Sequence, residues 1–379
     1  MTIKSDFDVA IIGGGLAGLS LAIQCVRAGH RTILFEKEHY PFHKVCGEYI
    51  SFENWNYLQD LGIPLSDMNL PMINRLLISS PDGRCIESRL PLGGFGISRY
   101  LIDDLLFRIA VSEGVTVVQD TKVLDIHFSN QQFIIETSNG NTFAKIAAGS
   151  FGKRSNIDIK WKRNFTLHNH NKLSNYLAVK YHVKYDSPPD QIALHNFENG
   201  YCGISRIEDE KSCLCYLTKA ANLRKAGNDI NRMEQEILSK NPLLKNIFLK
   251  SRFLYDKPLT ISRISFARKT QVENHVLLLG DAAGLIAPLC GNGMSMALHA
   301  GKLAFQEIDL FLNNRIDRYE METHYTRQWE KHFSSRLIAG RVIQGFFGNA
   351  SLSNLLIKTV KPFPKIVRLL IRQTHGTPY

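Results

Sequence analysis

The sequence predicts an α/β protein: a βαβ unit opens the chain, a mainly antiparallel sheet fills its middle, and helices close it. Three stretches predict this: FDVAII at 7–12 running into a glycine-rich turn, alternating strands over 174–219, and a second apolar strand with a small-residue turn at 275–284. Residues 7–12 are apolar, rich in β-branched side chains and bounded by glycines, the pattern of a buried parallel strand. From Leu16 to Ala28 apolar residues recur at helical spacing, Gly29 supplies the stop, and RTILFEK is the next strand. Residues 100–113 predict an amphipathic helix, and 115–148 a small antiparallel meander around the Asn139-Gly140 turn. The segments YLAVKYHVKY, IALHNF, YCGISRI and SCLCYLT alternate and predict a second, mainly antiparallel sheet suited to a substrate lobe. HVLLLGDAAG returns the chain to its first domain, Gly293–Phe311 reads as a long helix, and the pattern beyond residue 320 is helical.

With 379 residues, 44% hydrophobic and 21% charged, the chain has ample material for a folded core larger than one simple domain. The formal charge of +11 is scattered and comes with no nucleic-acid reader motif, so nucleic acid is not an expected partner. The 7 cysteines include no CxxC pair and no His/Cys metal spacing, which argues against a disulfide framework or a metal site and for reduced thiols. The first strand begins near Phe7 and no apolar stretch reaches membrane-spanning length. The expectation is a cytoplasmic protein without a leader, soluble or peripheral to the inner membrane surface.

The strongest chemical signal is IIGGGLAGLS. Gly13 makes the tight turn, Gly15 lets the backbone approach a pyrophosphate, and Gly18 lets the helix pack on the strand, as a Rossmann dinucleotide site requires. The helix N-terminus then presents free N–H groups and partial positive charge to phosphate. Glu36, about 20 residues past the last glycine at the end of the second strand, is placed to accept from a ribose diol. A second constellation, Gly280-Asp281-Ala282-Ala283-Gly284, Pro288 and Gly291-Asn292-Gly293-Met294, opens a late helix. Its N-terminus presents free N–H groups and partial positive charge, which suits an anionic group.

Here the sequence resembles the glutathione-reductase-type FAD fold of p-hydroxybenzoate hydroxylase (class A flavoprotein monooxygenases) and the geranylgeranyl reductases. GDAAGLIAPLCGNGMSMALHAGKLA is more similar to the reductase branch, as is Pro41-Phe42-His43-Lys44-Val45-Cys46-Gly47-Glu48, which resembles its P-x-x-K-x-C-G-E segment beside the flavin. Arg99 matches the arginine that contacts FAD before a helix. The resemblance implies FAD as cofactor, NAD(P)H as transient electron donor, and a small-molecule substrate. It implies cofactor contacts from Gly13, Gly15, Leu16, Ala17, Gly18, Glu36, Lys37, Lys44, Cys46, Gly47, Arg99, Val123, Asp281, Gly291, Gly293 and Met294. The implied domains are FAD-binding over 1–70, 97–170 and 259–312, a substrate lobe over 71–96 and 171–258, and a helical region over 313–379.

Two departures shape the expected activity. The hydroxylases' central DG pair stands here as Ala148-Gly149, a form that also occurs in the reductase branch, and the reductases' YxWxFP segment stands as Tyr201-Cys202-Gly203-Ile204-Ser205-Arg206, without its Trp, Phe and Pro. The second departure turns the expectation from an isoprenoid substrate towards monooxygenation of a small aromatic or lipophilic metabolite. Reduction of a C=C bond is the alternative, and a flavin-binding module without turnover a third reading. Cys46 and Pro288 are the only candidates for a direct catalytic role, Cys46 having no resolving cysteine nearby in sequence. Residues 352–372 combine apolar side chains with Lys358, Lys361, Lys365, Arg368 and Arg372, which suits an anionic membrane surface as well as a solvated cap.

Overall fold

A computed structural model describes residues 5–153, 155–167, 175–286, 291–346, 353–354, 358–359 and 376–379. In chain order the elements begin with β1 (Phe7–Ile12), α1 (Leu16–Arg27), β2 (Thr32–Phe35), β3 (Tyr49–Ser51), α2 (Trp55–Asp60), β4 (Met72–Ser79), β5 (Cys85–Gly96) and α3 (Arg99–Ser112). There follow β6 (Thr116–Val118), β7 (Val123–Ser129), β8 (Gln132–Thr137), β9 (Gly140–Gly149), α4 (Asn156–Lys160) and α5 (Asn164–Leu167). The middle of the chain holds β10 (Tyr176–Lys184), β11 (Gln191–Phe197), β12 (Gly200–Arg206), β13 (Ser212–Lys219), α6 (Ala220–Lys225), α7 (Ile230–Glu236) and α8 (Pro242–Lys250). The last elements are β14 (Arg252–Phe253), β15 (Leu259–Ile264), β16 (Val272–Glu273), β17 (Val276–Leu278), α9 (Gly293–Leu312) and α10 (Arg318–Phe346).

One sheet runs β16-β17-β9-β1-β2-β6, with β1 parallel to both β2 and β9 and β17 parallel to β9. Val9, Ala10 and Ile11 are fully buried because this central strand is covered on both faces. Its core continues into α1, α3, α9 and α10 through Leu19, Leu106, Leu298 and Phe333. The antiparallel meander expected over 115–148 is present as β7-β8-β9, and the strands at the two ends of that stretch also join the parallel sheet. β6 pairs parallel with β2, and β9 is long enough to serve two ladders, pairing antiparallel with β8 and then, from Ala144 to Gly149, parallel with β1. Alternation reveals that a strand exists, but not which neighbour it joins.

The second sheet runs β14-β10-β13-β12-β11-β4-β5-β3, with β15 also on β10. It is antiparallel except where β4 pairs parallel with β11. One face, including Leu177, Val179, Tyr181 and Val183, packs on α6 to α8 through Met233, Leu238 and Leu244. The opposite face carries Ala178, Leu194 and Leu217 into a second cluster with Tyr49, Phe266 and Leu285. These helices of six to nine residues were not anticipated from the sequence, because such lengths hardly display a helical period.

Candidate functional site

The glycine turn between β1 and α1 is built by close contact. Gly13 adopts φ +105°, and a Cβ there would lie 2.5 Å from the Ser150 carbonyl oxygen. A Cβ on Gly18 would overlap the Gly13 carbonyl oxygen, so α1 can sit this near β1 only without one. Gly15 differs: its Cβ would meet nothing nearer than Arg99 Nη2 at 3.7 Å and Lys44 Nζ at 3.9 Å. The open side of the turn is therefore flanked by two cations, and α1 begins there with no acidic residue in its first turn. An anionic diphosphate fits that opening through charge and free N–H groups. Leu16 and Ala17 start the helix and are buried, so they can offer backbone groups only.

Glu36, buried at the end of β2, accepts from Gly14 N at 2.9 Å through Oε2 and from Lys37 N at 2.8 Å and Glu38 N at 3.2 Å through Oε1. The acid is thereby fixed against the turn. The exposed Lys37 ammonium pairs with Glu38, so Lys37 serves this corner by its N–H. Val123 opens β7 two residues after Thr121, whose N–H donates to the Glu36 carbonyl at 2.9 Å.

Lys44 and Arg99 share one buried acid. Asp103, one turn along α3, receives Arg99 Nε and Nη2, each at 2.7 Å, and Lys44 Nζ at 3.0 Å. Burial opposes the Asp103 charge, but the two cations outweigh it and hold its carboxyl below the usual carboxylate range. Lys44 also lies 3.9 Å from Glu36 Oε2, so the two cations at the opening are shared between Asp103 and Glu36.

The Gly280-Asp281-Ala282 turn is held from behind. The Asp281 carbonyl accepts from Lys269 Nζ at 2.7 Å, the Ala282 carbonyl from Arg163 Nη1 at 3.0 Å, and the Ala283 carbonyl from Gln271 Nε2 at 3.3 Å. Arg163 also pairs with Asp158 at 2.7 Å. Burial pushes the Lys269 ammonium down to about 8, with Asp158 and Asp281 working the other way. The half-buried Asp281 carboxylate has no hydrogen-bond partner among the described residues, so it is free to receive a ligand hydroxyl. A Cβ on Gly280 would lie 3.4 Å from Ala297 Cβ and 3.6 Å from Ala17 Cβ. The late turn and the first glycine turn thus meet across α1 and α9, as one dinucleotide spanning both would require. Gly291, at φ +67°, packs against the Tyr49 ring; Gly293 and the buried Met294 open α9, whose first turn carries no acid. Pro288 lies outside the described residues.

The segment carrying Cys46 and Gly47 crosses to the second sheet. Cys46 is half-buried, its carbonyl accepts from Cys213 Sγ at 3.2 Å, and its thiol lies within electrostatic reach of Arg99 and Lys180. Gly47 is exposed with open space around it. Glu48 is fully buried: it pairs with Lys180 Nζ, and it meets His182 Nε2 at 2.6 Å and Arg99 N at 2.8 Å. Burial works against its charge, yet Lys180 and His182 hold its carboxyl below the usual range. Sequence reading found Glu48 only within its motif and missed Lys180, His182, Asp103, Lys269 and Arg163. Asp103 carried a usable signal, four residues after Arg99 on a helix.

The chain is similar in sequence and fold to known flavoproteins. The family described as FAD binding domain matches residues 8–43. The chain is 23% identical over 358 residues to conditioned medium factor receptor 1 of Dictyostelium discoideum, covering 87% of this chain and 68% of that protein. It is 23% identical over 355 residues to digeranylgeranylglycerophospholipid reductase of Methanococcus vannielii, covering 87% and 84%. Among solved structures, a geranylgeranyl bacteriochlorophyll reductase-like protein from Thermoplasma acidophilum superposes with a TM-score of 0.78 at 19% identity, covering 98% of this chain and 96% of that one. The myxobacterial chondrochloren halogenase, an FAD-dependent halogenase, does so with 0.75 at 17% identity, covering 98% and 91%.

Proposed function

We propose that this chain, an FAD-dependent oxidoreductase of the superfamily holding the geranylgeranyl reductases and the flavoprotein monooxygenases, uses NAD(P)H to oxygenate a small lipophilic or aromatic metabolite. The observation that carries the flavin reading is the packing of Gly280 beside α1 and α9, where a Cβ would lie 3.6 Å from Ala17 Cβ and 3.4 Å from Ala297 Cβ, which brings the phosphate turn next to the helix suited to a flavin ring. Bound FAD supplies the two-electron chemistry, taking hydride and passing the electrons on. The protein's part is to hold and shield it. Lys44, Arg99 and the first N–H groups of α1 neutralise the diphosphate, Glu36 accepts from the ribose, Asp281 accepts from a ribityl hydroxyl, and the first turn of α9 stabilises negative charge on the ring.

Oxygen as the electron outlet is supported by the β12 segment. Tyr201 and Cys202 are buried there, and the Trp, Phe and Pro of the prenyl reductases' segment are missing. The FAD-dependent halogenase of matching fold is consistent with this reading. Mixing anaerobically reduced protein with oxygen in a stopped-flow instrument tests it. A transient absorbance distinct from oxidised and reduced flavin is expected, and its absence with every ligand tried would sink oxygenation.

Reduction of a C=C bond is the second reading, favoured by the Pro41–Glu48 segment and by the reductase relative. Such a step needs a proton donor beside the hydride acceptor. Reduced protein that is reoxidised by a polyprenyl lipid under nitrogen would select this reading.

A further inference from the structure

Glu48, His182, Tyr255 and His43 form one unbroken row of hydrogen bonds from the half-exposed Pro41–Glu48 segment into the buried seam between the two sheets. His182 Nε2 lies 2.6 Å from Glu48 Oε2, His182 Nδ1 lies 2.6 Å from the Tyr255 hydroxyl, and that hydroxyl lies 3.1 Å from His43 Nδ1. Glu48 is fully buried and His182 nearly so, whereas Tyr255 and His43 are half-buried. Around the row stand Lys180 and Cys213 from the sheet, Glu208 and Lys211 from the turn between β12 and β13, and Tyr100 from α3, stacked on His43 at 4.6 Å. From this geometry we infer that the row is a directional proton relay that carries protons between solvent at His43 and Glu48 beside Cys46.

The direction follows from what each atom can do. Glu48, charged by its contact with Lys180, can only accept, so His182 must carry its proton on Nε2. Nδ1 is then an acceptor and takes the Tyr255 hydroxyl proton. The Tyr255 oxygen is left to accept from His43, whose Nδ1 and Nε2 lie 3.1 and 3.3 Å from it, Nδ1 being the nearer. When His43 is protonated from solvent, its Nδ1 proton passes to Tyr255, the Tyr255 proton to His182 Nδ1, and the His182 Nε2 proton to Glu48. Each intermediate group loses one N–H or O–H bond and gains another, and one proton has moved without any electron. Burial and the nearby Lys180 and His182 hold His43 down to about 4, so it is neutral at rest and gives up a proton readily. What the proton serves rests on the oxidoreductase reading; that the row conducts does not.

The test uses the FAD-loaded protein labelled with ¹⁵N-histidine, comparing wild type with Tyr255→Phe, which keeps the ring and removes the hydroxyl that links His43 to His182. His182 is expected as the Nε2–H tautomer, and its buried Nε2 proton exchanges with water at least tenfold more slowly in Tyr255→Phe than in wild type, with FAD retention equal. A proton found on Nδ1, or equal exchange rates in the two proteins, overturns the relay. His43→Phe, which removes the outer donor, must slow the exchange in the same sense, and serves if Tyr255→Phe fails to fold. If FAD is not retained by wild type while the exchange difference persists, the flavin reading falls and the relay stands.

Discussion

Gly14 N donates to Glu36 Oε2 at 2.9 Å, tying the glycine turn to the acid at the end of β2. Both Glu36 oxygens accept backbone N–H groups, and an amide in its place would turn NH₂ towards a donor. Glu36→Ala is expected to weaken FAD binding by about 1.5–3 kcal/mol, roughly ten- to a hundredfold. Glu36→Gln does little better than Ala. Fluorescence titration with FAD checks both, and near-native affinity in Glu36→Gln would show that the carboxylate charge is not needed.

Gly15 and Gly18 separate binding from folding. Ala at position 15 has room in the protein, and its loss of a good cap is roughly offset by a less flexible unfolded chain, within about 1 kcal/mol. Gly15→Ala should keep its thermal stability without ligand and lose FAD. Gly18→Ala places a methyl group against the Gly13 carbonyl and should destabilise the protein itself by about 1–3 kcal/mol. Thermal unfolding with and without FAD distinguishes the two, and an equally stable Gly18→Ala contradicts the packing described.

Asp103 holds two cations where it is nearly inaccessible, with Lys44 the more exposed of the pair. Asp103→Asn leaves Arg99 buried without its charge partner and should cost about 3–5 kcal/mol. Lys44→Met should cost under about 1 kcal/mol of stability, because Arg99 still neutralises Asp103. It should still weaken FAD binding. Urea denaturation of both variants checks the order, which must not reverse.

Lys269 predicts a pH dependence. Its folded value of about 8 lies below the ordinary 10.5, so the unfolded chain binds more protons between these values and stability rises with pH across that window. The cost of keeping this buried lysine charged, on the order of 3 kcal/mol, is present below pH 8 and relieved towards pH 10.5. In urea unfolding at pH 7.5 and pH 10, wild type should gain stability relative to Lys269→Met. A constant difference between the two proteins would remove Lys269 as the source.

The half-hidden polar cluster explains where sequence reading stopped. In YLAVKYHVKY, Lys180 and His182 alternate with Val179, Tyr181 and Val183, which in an ordinary antiparallel sheet assigns the polar pair to solvent. In the structure α6 to α8 cover the apolar face, and the Pro41–Glu48 segment covers the other, so both residues are buried against Glu48. The short helices α6 to α8 were themselves not legible. Glu48 arrives from 132 residues before Lys180 and 134 before His182, and such a partner leaves no mark on the strand it buries.

The glycine turn and its acid were legible locally: Gly13, Gly15, Gly18 and Glu36 lie within one βαβ unit, where glycine spacing and strand length fix the geometry. Only the packing of distant segments settled that Gly280 would sit beside Ala17, that Arg163, Lys269 and Gln271 would hold the late turn from behind, and that Tyr255 would link His43 to His182. Local patterns follow from backbone sterics and periodicity, which a short window of residues contains. Contacts between distant segments depend on which surfaces the whole chain brings together to exclude water, and no short window contains that.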